Sequence, residues 1–125
     1  LPDFKKYIGV PFSDLNCWEL SRKVMKEFGN DVPEFAIKDT DRDSIFRAFL
    51  DETSSPRWER IDSPEPGCGV AMALNEKNPG IVRHFGVAID RHRFIHTTRK
   101  IGSCVARFDD PRWSGSIRGY YKWKG

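Results

Sequence analysis

The chain has 125 residues, a formal net charge of +3, and is 38% hydrophobic and 31% charged. This fits one globular domain over residues 1–125 and excludes a disordered chain. Lys and Arg are scattered among acidic residues without a run or an interleaved aromatic stripe, so no nucleic-acid partner is expected. No stretch approaches the ~18 consecutive apolar residues of a membrane span, and no signal peptide is visible, although the numbering opens at Leu1 without a Met and leaves localisation open.

Residues 1–12 read as an extended or loosely helical lead-in ending at Val10-Pro11. A polar Ser13-Asp14-Leu15-Asn16 cap follows, then a helix over residues 16–28. Apolar residues recur at Leu20, Val24, Met25 and Phe28 with helical period, and Cys17 falls on the same stripe. Asn16 is the expected N-cap and Gly29-Asn30 the stop. Residues 30–40 read as loop. Residues 41–50 read as a second helix with Ile45, Phe46, Phe49 and Leu50 on one face, broken by Thr53-Ser54-Ser55-Pro56. Trp58 and Ile61 are expected as single anchors in a connector that ends at the turn Ser63-Pro64-Glu65-Pro66-Gly67. Strands are then expected at 69–74, 82–89, 93–98, 103–108 and 118–123. A turn lies at 75–80, and a short turn or helix begins at Asp109-Asp110-Pro111. Helices first and an antiparallel sheet after them predict an α+β fold.

Three cysteines, Cys17, Cys68 and Cys104, are an odd count with no disulfide framework, and no C-x-x-C pair marks a metal site. Cys17 stands at a helix N-terminus, where unpaired N–H groups and partial positive charge favour thiolate, the nucleophilic form. Taken alone it fits an inert core thiol equally well, because free cysteine is among the most buried residue types.

The histidines sit on a hairpin, Arg83 to Ile89 and Arg93 to Thr98, around Asp90-Arg91-His92. A two-residue loop would put His84 and His96 on opposite faces. A three-residue loop pairs Ile89 with Arg93 and Gly86 with His96, so the two imidazoles become diagonal neighbours on one face, ~7–8 Å apart at Cβ. Gly86 opposite His96 has no side chain to block that approach. Such a loop ends in a left-handed residue, so His92 is expected to hold a positive φ as turn chemistry. Asp90 is the competing partner for His84, but six residues along one strand is ~20 Å, out of reach. A helix-terminal cysteine with two histidines on one hairpin face forms a nucleophile, base and orienter set.

At this point the chain resembles the NlpC family (NlpC/p-sixty) of papain-like cysteine peptidases. The matching pieces are Tyr7-Ile8-Gly9-Val10-Pro11-Phe12, Asn16-Cys17-Trp18, Pro66-Gly67, His84-Phe85-Gly86-Val87, Phe94-Ile95-His96 and Ile117-Arg118-Gly119-Tyr120-Tyr121, in family order over nearly the whole chain. The short spacing from Tyr7 to Cys17 and the Cys-Trp pair look like the branch found in phage tail assemblies and prophages. The resemblance implies a papain-like NlpC fold, N-terminal helices packed on a small, barrel-like antiparallel sheet. It implies hydrolysis of bacterial cell-wall stem peptides, often between D-glutamate and a diamino acid, without metal or cofactor. By position it makes Cys17 the nucleophile, His84 the base and His96 the third polar residue, and gives Tyr7 a cleft-lining, oxyanion-stabilising role. Trp18 and Glu19 are expected to supply an aromatic wall and a carboxylate for substrate. The implied partners are peptidoglycan stem peptides and other phage-tail proteins, in a virion tail or bacterial cell envelope. The sequence departs from the family at Asn16, Glu19 and Gly67-Cys68, and residues 30–63 match no motif; they are expected to form one cleft wall. Two alternatives stay open: a catalytically weak cell-wall-binding tail component, and an amide- or acyl-transferring effector on the same triad.

Overall fold

The structure, a computed structural model, describes residues 2–33, 51–73 and 84–125. The first helix forms as α1 (Cys17–Glu27), with Asn16 as N-cap. The cap is reciprocal: Asn16 Oδ1 accepts from the backbone N–H of Glu19 at 3.0 Å, while its Nδ2 donates to Glu19 Oε1 at 2.9 Å. The helical stripe becomes the buried face, with Leu20, Val24 and Met25 fully enclosed. Burying each contributes about 1.5–3 kcal/mol, so packing rather than propensity holds this short helix.

Among the described residues six antiparallel strands follow: β1 (Trp58–Ile61), β2 (Gly69–Met72), β3 (His84–Ala88), β4 (Arg93–Thr98), β5 (Gly102–Arg107) and β6 (Ile117–Trp123). Their order in the sheet is β1-β6-β2-β3-β4-β5. A short helix α2 (Pro111–Ser114), capped by Asp110, precedes β6. The helix and antiparallel sheet agree with the α+β expectation. The barrel-like closure does not: β1 and β5 are separate edges, and the sheet is open. The outer side of β5 is already taken by the N-terminal segment, where Gly9 N–H donates to Ser103 O at 2.8 Å and Ser103 N–H to Val10 O at 2.9 Å. This pairing occupies the outward backbone groups of Ser103, so the start of β5 is not free to pair with another strand.

Trp58 and Ile61 are not connector anchors. They bound β1, which pairs with β6 from Trp58↔Trp123 to Ile61↔Tyr120. They point to opposite layers, Trp58 to the helix side and Ile61 to the other, and with the exposed Glu59 and Arg60 between them no alternation shows. Residues 51–53 are helical and the chain breaks as expected after Thr53. The expected helix at 41–50 and turn at 75–80 lie outside the described residues.

Strand alternation sorts the side chains into two layers. On one face Ala71, Phe85, Val87 and Ile95 pack with α1, which lies across β3 and β4. On the other, Val70, Met72, Ala88 and Phe94 pack with Phe108, Trp113 and Tyr120.

Candidate active site

The β3–β4 register is that of the three-residue loop: Val87 pairs with Ile95, Ala88 with Phe94, and Ile89 N–H donates to Arg93 O at 2.9 Å. His92 does not take the expected left-handed conformation; among the described residues only glycines have positive φ. Asp90 makes the turn instead. Its Oδ1 accepts from the N–H groups of His92 and Arg93, both at 2.8 Å, and its Oδ2 binds the Arg93 guanidinium. A side-chain carboxylate that satisfies two loop donors removes the need for a positive φ. It also occupies Asp90, leaving His96 beside His84.

The two imidazoles meet in the interior. His84 Nε2 and His96 Nδ1 are 2.8 Å apart, with ring planes at 71°. Gly86 permits the approach, since a Cβ there would stand 2.7 Å from Ile95 O and 3.1 Å from His96 Cβ. His84 is 5% exposed and His96 fully buried. Burial pushes His84 down to about 3, helped by the adjacent His96. Burial likewise pushes His96 down to about 4, with the Arg112 charge acting in the same direction. Both rings are therefore neutral at physiological pH, the form in which an imidazole accepts a proton.

Cys17 opens α1 and packs half-buried against the helix-side core. One turn later, the Ser21 hydroxyl donates to Cys17 O at 2.7 Å and lies 3.4 Å from Phe85 O. A single hydroxyl thus separates the first turn of α1 from the residue that follows His84. The other cysteines differ. Cys68 is 2% exposed and its thiol is pushed up to about 11 by burial. Cys104 faces His96 across the β4–β5 pair, and burial raises its thiol too. All three are free thiols.

Two of the expected substrate residues stand elsewhere. The Tyr7 hydroxyl donates to Glu27 Oε1 at 3.2 Å, beside a Lys6–Glu27 ion pair at 2.6 Å. Glu27 closes α1, ten residues and about 15 Å along the helix axis from Cys17, so this hydroxyl does not face the thiol. Trp18 is 2% exposed and packs edge-on against Phe85 at 5.3 Å, which makes it a core residue and not a cleft wall. An apolar ring two residues after the cap turns inward with the buried stripe. Glu19 does reach the surface. It lines a groove of about 540 Å³ with Phe12, Asn16, residues 99–101 of the β4–β5 turn and Gly102 at the start of β5. The Arg99 guanidinium lies 4.7 Å over the Phe12 ring, and neither Arg99 nor Lys100 joins a salt bridge among the described residues.

Sequence reasoning missed Ser103, which clips the N-terminal segment in place. Its hydroxyl accepts from Val10 N–H at 2.7 Å and donates to Tyr7 O. Gly102 makes the fit possible, with φ +79° and Val10 O 2.6 Å from where a Cβ would stand. The Gly-Ser pair at a strand start was the available signal, and it points to a close backbone approach. Among the described residues no cluster of His, Cys, Asp or Glu is placed to hold a metal ion, and no helix is long and apolar enough to cross a membrane.

No family model and no curated protein matches the sequence. Solved structures do match in fold. An NLP/P60 family protein of Staphylococcus aureus, described as similar to lipoprotein, superposes with a TM-score of 0.64 at 16% identity over 98% of this chain. An NlpC/P60 family protein of Bacillus cereus superposes with a TM-score of 0.55 at 13% identity, again over 98% of this chain. The chain spans 39% and 38% of those two proteins. The open sheet with α1 across β3 and β4 is therefore the fold seen in NlpC/P60 family structures.

Proposed function

We propose that residues 1–125 form one cysteine peptidase domain of NlpC type that hydrolyses peptidoglycan stem peptides. The observation that carries this reading is the buried His84–His96 pair at 2.8 Å on the two strands that α1 crosses, with Cys17 opening that helix. His84 takes the Cys17 proton as the sulfur attacks the amide carbonyl, and the tetrahedral intermediate collapses to a thioester and the leaving amine, which His84 protonates. Water, deprotonated by His84, then hydrolyses the thioester and restores the thiol. His96 orients His84. The helix-terminal N–H groups favour the oxyanion, a role that passes from the Tyr7 hydroxyl to the backbone. Burial keeps His84 neutral, which supports proton transfer during attack over a standing thiolate–imidazolium pair.

The groove beside Asn16 receives the peptide, with Glu19 on one side and Arg99 and Lys100 on the other. These groups suit a slim peptide carrying both charges, and the bond we assign is the γ-linked one between D-Glu and a diamino acid. The phage-tail setting rests on the Tyr7-to-Cys17 spacing and the Cys17-Trp18 pair alone. The test is digestion of a disaccharide tetrapeptide by wild type and Cys17→Ser, with products read by mass. Products split after D-Glu, absent with Cys17→Ser, are expected. Mass-shifted adducts would make the protein a transferase, an unchanged substrate a binder, and cleaved glycan with intact stems would overturn the reading outright.

A further inference from the structure

His96 is fully buried, and its Nε2 has no hydrogen-bond partner among the described residues. A buried ring nitrogen without a partner is costly and calls for an explanation. The groups around the ring come from four elements. His84 on β3 engages Nδ1, Phe94 on β4 lies tilted at 4.9 Å, Cys104 on β5 stands opposite in register, and Arg112 and Trp113 come from α2. Trp113 is the nearest ring: its centroid is 4.5 Å from that of His96, with the planes at 85°. That is an edge-to-face contact, and an aromatic face carries negative potential that attracts an N–H and repels a lone pair.

We propose that Trp113 is a positioning residue whose ring face receives the Nε2–H of His96 and so fixes the tautomer of both histidines. The proton balance follows from one shared hydrogen bond. If His96 bears its proton on Nε2, its Nδ1 is a bare acceptor, and the proton between the rings belongs to His84 Nε2. The neutral His84 then carries no proton on Nδ1, and that nitrogen is a base. In the opposite arrangement His96 donates from Nδ1, His84 holds its proton on Nδ1 and has no base there, and a bare His96 lone pair faces the indole. The short helix α2 is built to hold this contact. Asp110 caps it through Arg112 N–H at 2.9 Å and pins the Arg112 guanidinium, and Trp113 N–H donates to Asp110 O at 2.9 Å. Burial and the Arg112 charge both keep His96 neutral, so the tautomer, not the charge, is what Trp113 decides.

The catalytic consequence rests on the peptidase reading; the proton placement does not. The experiment is therefore nitrogen-15 long-range correlation NMR of the histidine rings in the full chain near pH 7, which needs no substrate. In wild type we expect His96 protonated on Nε2, with that proton shifted upfield by the indole ring current and slow to exchange. Trp113→Phe keeps a ring face and retains the pattern, whereas Trp113→Leu loses the shift and mixes the tautomers. Stem-peptide hydrolysis then falls about tenfold in Trp113→Leu, a change of ~1.4 kcal/mol in barrier, and recovers in Trp113→Phe. A wild-type His96 protonated on Nδ1, or a Trp113→Leu spectrum with unchanged tautomer and Hε2 shift, overturns the proposal. The expected wild-type spectrum with no hydrolysis of any stem peptide would overturn the peptidase reading and leave the proton placement standing.

Discussion

Two neutral histidines buried at 2.8 Å should make this fold sensitive to mild acid. Their folded values are lowered, to about 3 for His84 and about 4 for His96, from an ordinary 6.5. The unfolded chain therefore binds protons that the native state refuses. The stabilisation is complete above about pH 6.5 and drains as pH falls toward 4 and 3, where the native rings finally protonate. Between about pH 7.5 and pH 5, each histidine in the unfolded chain gains ~2 kcal/mol from protonation, or ~4 kcal/mol for the pair. That is a large share of the roughly 5–15 kcal/mol that holds a domain together. The lowered carboxyls of Glu27, Asp90, Asp109 and Asp110 titrate below this window and do not obscure it. The assay is urea unfolding at the two pH values for wild type and for the His84→Gln, His96→Gln double variant. Wild type should lose about 4 kcal/mol, and the double variant should lose little, whatever its own stability. A flat wild-type profile, or an equally steep loss in the double variant, would refute the burial argument.

Iodoacetamide should label Cys17 first, at least tenfold faster than Cys68 or Cys104 near neutral pH, because burial raises the other two thiols; mass mapping that found Cys68 or Cys104 modified first would remove Cys17 as nucleophile. His96→Asn should keep more peptidase activity than His96→Ala, since an amide can still bond the His84 ring, while His84→Asn should lose nearly all; equal losses in the two His96 variants would end the orienting role. Ser103→Ala should cost about 2–3 kcal/mol in chemical unfolding, because it strands Val10 N–H and removes the bond to Tyr7 O; a loss under about 0.5 kcal/mol would mean that the backbone pairing alone holds the segment.

Much of the candidate site's geometry was legible locally. Asn16 before Cys17 and the stripe Leu20, Val24 and Met25 mark a capped amphipathic helix, because capping and helical period are set within a few residues. The loop of three residues fixes the hairpin register, and register with a period of two puts His84 and His96 on one face. Tertiary structure decided the rest, because it depends on which surfaces meet. Trp18 next to Cys17 reads as a cleft wall, yet only the packing of Phe85 against α1 shows that it belongs to the core. Tyr7 and Glu27 are twenty residues apart, and no local pattern announces their hydrogen bond. Ser103 reaches back across more than ninety residues to clip the N-terminal segment onto the edge of β5. The same holds for Trp113 on His96: α2 is readable from Asp110-Pro111, but the contact of its ring with His96 is fixed only when the second layer closes over the sheet.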